Sequence, residues 1–230
     1  CGLSRGRRVL LVDVDPQGNL TSCFTDQKSL DYRHHVLRAF EEEVMEPIEA
    51  GDILLVGSND KLSRVEANVD FESFFKLSSA LDRLGGFDLA IIDSPPTLGV
   101  LTINAILAAD AVLIPVDLSF FSLEGIADLL QLISKLNRRT AHRCEVLGFV
   151  LNNFDRRTRL AREIESHLRE TYGEKVFKTV ISPSVRVREA VGLGKPVFLY
   201  APSSKSAREM EDLIDEFEER ISHEGKAQDT

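Results

Sequence analysis

Six apolar runs, at 9–12, 53–56, 87–92, 111–116, 146–151 and 176–181, recur between longer segments of helical periodicity. Several are continuously apolar rather than alternating, the pattern of strands covered on both faces by helices. The amphipathic segments between them lie near 71–84, 102–108, 123–136, 158–172 and 206–221. Strand–helix alternation at this spacing predicts an α/β fold, a doubly wound and mostly parallel sheet with helices on both faces. At 230 residues and 43% hydrophobic, the chain can bury a substantial core. No linker, repeat or low-complexity block interrupts it. The expectation is one domain over 1–221, followed by a disordered polar tail at 222–230.

The first run ends in chemistry. Val9-Leu10-Leu11-Val12-Asp13-Val14-Asp15 is a strand that finishes on two carboxylates and breaks at Pro16 and Gly18. Alternation places Asp13 and Asp15 on one side, at the strand's C-terminal end. That is the sheet edge at which open α/β folds bind ligands. Two acids there suit a metal-phosphate site, one in the network around the ion and one aimed at an attacking water. A bare D-x-D-P equally describes a buried strand running into an Asp-Pro turn. Phe87-Asp88-Leu89-Ala90-Ile91-Ile92-Asp93 repeats the device in the manner of a Walker B strand, and Pro95-Pro96 after it fixes the loop's backbone. An acid in that position typically holds magnesium, often through water.

The longer strings are more specific. Asp13-Val14-Asp15-Pro16-Gln17-Gly18-Asn19, preceded by Gly6-Arg7-Arg8-Val9-Leu10-Leu11-Val12, resembles the ParA/Soj family of chromosome- and plasmid-partitioning ATPases. Asp93-Ser94-Pro95-Pro96-Thr97-Leu98-Gly99-Val100-Leu101-Thr102-Ile103-Asn104-Ala105 is similar to that family's D-x-P-P-x-L-G-x-L-T-x-N-A. Ser58-Asn59 with Leu62, Pro115-Val116 with Leu123-Glu124-Gly125, the stretch from Asn152 to Glu163, and Gly194-Lys195-Pro196-Val197 with Tyr200 continue the match in order. The resemblance spans roughly 6–217. Departures fall at Gly57, at Asp117 and Ser119, and at Ser182-Pro183, where the family usually carries Pro-Arg. That last loop borders the base in family members.

The resemblance implies ATP and Mg2+ as cofactors in a P-loop NTPase-like fold. It assigns Asp15 to orienting the attacking water, Asp93 to the magnesium network, and Asp13 to supporting both the ion and the P-loop. Asn152, Asp155 and Pro183 would lie on the nucleotide side. It also implies a strand, a K-G-G-x-G-K-T loop and a helix ahead of Cys1, since no G-x-x-x-x-G-K-[ST] occurs in the 230 residues. The expectation is that the first strand and P-loop are missing, that this chain alone is inactive, and that the missing strand lies between the strands bearing the two acidic motifs. Two sheet edges would then lack their partner.

Partners follow from the same resemblance: an ATP-bound homodimer, nonspecific double-stranded DNA, and a ParB-type centromere-binding protein that stimulates hydrolysis. The net charge of −9 alone argues against nucleic acid. Between Arg143 and Arg208, however, 13 Lys/Arg stand against 7 Asp/Glu, a local +6 that leaves −15 elsewhere. Arg186, Arg188, Lys195, Lys205 and Arg208 are the candidate DNA contacts. Arg156, Arg159 and Arg162, at i, i+3 and i+6, form a second set, or else a salt-bridged helix face with Glu163, Glu165 and Glu170.

Three scattered cysteines (Cys1, Cys23, Cys144) argue against metal ligation and for a reducing, cytoplasmic setting, to which the family resemblance adds nucleoid association. No apolar run reaches the length of a membrane span. A MinD-like positioning ATPase would need a membrane-binding C-terminal helix, but the last helical segment is acidic, and anionic lipid would repel it. A P-loop-less pseudo-ATPase acting as an adaptor is the non-enzymatic alternative.

Overall fold

The computed structural model describes residues 3, 6–67, 70–117 and 123–228. Ser119, the side chains of Leu123 and Glu124, and residues 229–230 lie outside what is described. The chain forms two compact units, one of residues 1–110 and 133–144, the other of residues 111–132 and 145–230. A single domain over 1–221 is the sequence expectation.

The first unit carries strands β1 (Val9–Asp13), β2 (Ile48–Ala50), β3 (Ile53–Val56) and β4 (Leu89–Asp93) in the order β2-β3-β1-β4. β1 runs parallel to both β3 and β4, and only β2 is antiparallel. Short helices α1 (Asn19–Ser22) and α2 (Leu37–Glu41), then α3 (Lys76–Leu84) and α4 (Val100–Ala108), complete it. The core joins Leu10, Val12 and Val56 of the sheet to Leu37, Leu77, Ala80 and Leu101 of the helices.

The acidic strands are direct neighbours. β1 and β4 pair in register, with Asp13 opposite Asp93. This corrects the expectation of a strand between them, and it sets two carboxylate-bearing strand ends side by side. β4 is an edge strand; its residues Leu89–Ile92 are half-buried, although the run Leu-Ala-Ile-Ile is as apolar as the buried β3.

The second unit holds β5 (Ala111–Asp117), β6 (Glu145–Asn152) and β7 (Val176–Val180), parallel and in that order. Its helices are α5 (Leu123–Arg139, whose first half belongs to this unit), α6 (Arg159–Tyr172), α7 (Val185–Gly192), α8 (Val197–Tyr200) and α9 (Lys205–Gln228). One core packs α5 and α6 against the sheet through Ile126, Ala161 and Leu168. Another packs α9 against it through Met210, Leu213, Phe217 and Ile221. The sheet is therefore covered on both faces, as its apolar runs require.

α9 also treats the sheet's edge. The Glu216 carboxylate accepts the Lys178 and Thr179 N–H groups of edge strand β7 at 2.9 and 3.0 Å. Arg220 lies 3.9 Å over the Phe177 ring and donates to the Leu147 and Val176 carbonyls. Unpaired edge groups are thereby satisfied within the chain. The backbone of α9 continues to Gln228, so 222–228 extend a helix where the sequence reading places an irregular tail. No helix among the described residues is long and apolar enough to cross a membrane.

Asn104 holds the first unit's helices together. α3 begins without a side-chain cap, leaving first-turn N–H groups in need of acceptors. The Asn104 carbonyl, fully buried on α4, accepts the Leu77 N–H at 3.2 Å, and its NH2 donates to the Ser73 and Val100 carbonyls at 2.8 and 3.0 Å. Asn104→Ala leaves buried backbone groups without partners and is expected to lower unfolding free energy by about 2–3 kcal/mol. Urea denaturation checks this; a loss below about 0.5 kcal/mol contradicts it.

Candidate active site

β1 delivers Asp13 into the interior rather than toward solvent. Its exposure is 0%, and protein donors occupy both oxygens. Oδ1 accepts the Asp15 N–H at 3.1 Å. Oδ2 accepts the Thr21 N–H at 2.8 Å and the Thr21 hydroxyl at 2.6 Å. Burial raises the Asp13 carboxyl above its ordinary value, and the Thr21 and Asp15 donors hold it back. A carboxylate so enclosed serves the loop around it. The sequence assigns Asp13 to the ion and the P-loop; the contacts it makes in this structure are to the turn after β1 and to Thr21.

Asp15 sits half-buried in the turn that follows. Its Oδ1 accepts the Gln17 N–H at 2.9 Å, and its carbonyl accepts the Gly18 N–H at 2.9 Å. Its second carboxylate oxygen has no protein donor among the described residues. Gly18 makes the turn possible. Its φ and ψ of 61° and 32° are left-handed, and a Cβ there would stand 2.7 Å from the Ser58 carbonyl oxygen.

Asp93, at the exposed end of β4, completes an acidic trio. Its carboxyl is pushed up to about 6, first by partial desolvation and then by the charges of Asp13 and Asp15. No cation among the described residues offsets that repulsion. The Val14 N–H donates to the Asp93 carbonyl at 2.8 Å and fixes the two strand ends together. No group of three or more His, Cys, Asp or Glu among the described residues converges as a ligand set. Magnesium does not require one, since it keeps several waters and takes one or two carboxylates. An uncompensated Asp93 fits such an ion.

Ser58 and Asn59, which follow β3, back the site. The buried Ser58 N–H donates to the Thr21 hydroxyl oxygen at 2.8 Å. The Asn59 carbonyl contacts His35 Nε2 at 2.8 Å while His35 Nδ1 accepts the Leu37 N–H at 3.0 Å. That pattern makes His35 a neutral Nε2–H tautomer, and burial lowers its pKa. Sequence motifs marked Ser58 and Asn59 without a role, and Thr21 and His35 not at all; the hydroxyl two residues past the motif's Asn19 is the signal for Thr21.

The remaining candidates belong to the second unit. Asn152 ends β6, and exposed Pro183 lies in the loop between β7 and α7. Asp155 is held by its neighbour: Arg157 donates to it from Nε and Nη2, at 2.9 and 2.7 Å, and its carboxyl drops to about 2. Of the five basic candidates, Arg186 pairs with Glu189 at 2.9 Å and Lys205 with Glu209 at 3.0 Å. Arg188, Lys195 and Arg208 are exposed. The second set is a salt-bridged face, with Arg156 on Glu165 and Arg159 on Glu163. Arg156 precedes α6, whose N-cap is Thr158, so the three arginines do not form one helical stripe.

A family model described as an AAA domain matches residues 2–146. The chain is 36% identical over 221 residues to the chromosome-partitioning ATPase Soj of Thermus thermophilus, covering 94% of this chain and 85% of that protein. The chain belongs to the ParA/Soj family. As a ParA/Soj relative it also resembles solved structures. Cobyrinic acid a,c-diamide synthase of Mycobacterium smegmatis, with bound ADP and magnesium, matches with a TM-score of 0.71 and 33% identity over 80% of this chain and 78% of that one. McdA of Cyanothece shares the fold, with a TM-score of 0.82 at 23% identity over 95% and 89%.

The raised Asp93 pKa carries a stability sign. Between the unfolded value near 3.8 and the folded value of about 6, the folded state binds the extra proton, so stability falls as pH rises through that window. Asp93→Asn removes the repulsion and is expected to be more stable than the natural protein at pH 7.5. Because Asp93 is open to solvent, the gain is only about 0.5–1 kcal/mol, and it vanishes near pH 4. Equal stability at pH 7.5, or a gain that persists at pH 4, contradicts this.

Proposed function

We propose that this protein is a magnesium-dependent ATPase of DNA partitioning, whose ATP-bound homodimer holds nonspecific double-stranded DNA and lets go on hydrolysis stimulated by a ParB-type partner. The observation that carries this reading is the pairing of β1 and β4, which brings Asp13, Asp15 and Asp93 to one sheet edge in a ParA/Soj family member. Bound magnesium and ATP would supply the positive charge that Asp93 lacks and the phosphoryl group to be transferred. Asp93 would hold the ion through water. Asp15, with one oxygen fixed by the Gln17 N–H and the other unoccupied by protein donors, would orient the attacking water. Phosphoryl transfer to water is chiefly positioning and charge stabilisation, so neither acid needs an altered pKa for its role. Asn152, Asp155 and Pro183 remain the candidates for the nucleotide side. Such a protein works in the cytoplasm, on the nucleoid.

DNA contact would fall to Arg188, Lys195 and Arg208, since Arg186 and Lys205 spend their charge on Glu189 and Glu209. Three cations per protomer become six in a two-fold dimer, giving a log–log salt slope of about −5.

The test uses the full-length gene product. Nonspecific duplex DNA is expected to bind only with ATP, and replacing Arg188, Lys195 and Arg208 by Glu should abolish that binding while ATP-dependent dimerisation survives. Asp15→Ala should bind ATP normally and lose turnover at least about 100-fold, the range for removing a water-positioning group. DNA binding that ignores nucleotide, or wild-type turnover in Asp15→Ala, contradicts the reading.

A further inference from the structure

Ser58, Thr21, Asp13 and Asp15 form one continuous run of hydrogen bonds. The Ser58 N–H donates to the Thr21 hydroxyl oxygen, the Thr21 hydroxyl donates to Asp13 Oδ2, and Asp13 Oδ1 accepts the Asp15 N–H. The run links the segment after β3 to α1, and α1 to the turn after β1. Ser58, Thr21 and Asp13 all have 0% exposure, so water cannot substitute for any member. Among the described residues the Thr21 side chain hydrogen-bonds toward the reactive turn through Asp13 alone, and its hydroxyl is the one group that bonds to both Asp13 and Ser58.

We infer that Thr21 is a positioning residue for ATP hydrolysis, its hydroxyl latching Asp13 to the Ser58 amide and so fixing the turn that aims Asp15. This rests on the reading that Asp15 orients the attacking water. Without the hydroxyl the buried Ser58 N–H loses its acceptor and bears the desolvation cost, while Asp13 Oδ2 keeps only the Thr21 N–H.

The alternative is that Thr21 simply fills space through its methyl group. Two conservative substitutions separate the cases because they predict opposite orders. Thr21→Val keeps the shape and removes the hydroxyl; Thr21→Ser keeps the hydroxyl and removes the methyl. If the latch operates, Thr21→Val in the full-length protein lowers kcat about 10-fold or more while KM for ATP changes less than about threefold. Thr21→Ser stays within about threefold of the natural enzyme in both. Independently of turnover, amide exchange at Ser58 and Asp15 accelerates about 10-fold or more in Thr21→Val but not in Thr21→Ser.

Natural kcat in Thr21→Val, or a Thr21→Ser protein as impaired as Thr21→Val, overturns the inference. Should Thr21→Val fail to fold, Thr21→Ala compared with Thr21→Ser gives the same contrast. A natural protein whose Ser58 amide exchanges as fast as its surface turns overturns the latch with no variant at all. If Asp15→Ala keeps natural turnover, the reading of Asp15 fails instead, and the exchange measurements still test the latch on their own.

Discussion

The buried carboxylate of Asp13 is the constraint around which the first unit is arranged. A charge at zero exposure is costly unless its lone pairs are filled, and here the Thr21 hydroxyl, the Thr21 amide and the Asp15 amide fill them. Those three bonds dictate the rest of the turn. α1 must begin close behind β1, which requires the left-handed Gly18, and the segment after β3 must approach near enough for Ser58 to reach Thr21. Direct pairing of β1 with β4 then sets Asp93 beside this hub. Three acids meet with distinct fates. Asp13 is enclosed, Asp15 is half-satisfied, and Asp93 is left with a charge that only a cation relieves.

The alternation of apolar runs and amphipathic segments made the doubly wound architecture legible, because continuous runs such as 53–56 and 146–151 belong to strands covered by helices. β2 was not legible; three residues reading Ile-Glu-Ala carry no apolar run, and they pair only because β3 lies beside them. The short helices α1, α7 and α8 escaped for the same reason, as four to eight residues hold too few turns to show a period. Motif residues were visible but their duties were not. Thr102 donates to the carbonyls of Pro95 and Thr97 and so steadies the Pro-Pro loop, while Asn104 supplies the acceptor that α3 lacks. Part of what looks like a chemical signature in the 93–105 stretch is therefore scaffolding.

Strand order defeated the sequence because periodicity fixes which face a residue takes and not which strand lies next to it. Charge is a related case. A count of cations from 143 to 208 suggests a strongly basic surface, but Glu163, Glu165, Glu189 and Glu209 lie within reach of Arg159, Arg156, Arg186 and Lys205. Only side-chain reach along and between helices decides which charges remain for a partner. It leaves a smaller set on and after α7 and near the start of α9.

The division of labour between the two motif acids is tested most directly by equilibrium unfolding of Asp13→Asn and Asp15→Asn side by side. An amide at 13 turns an NH2 toward the Asp15 or Thr21 N–H groups, and a buried donor then faces a donor. Asp13→Asn is expected to lose about 2–3 kcal/mol. For Asp15→Asn the expected change is within about 0.5 kcal/mol, since the Gln17 N–H keeps its acceptor. An Asp13→Asn protein as stable as the natural one, or an equal loss in both, would contradict that division.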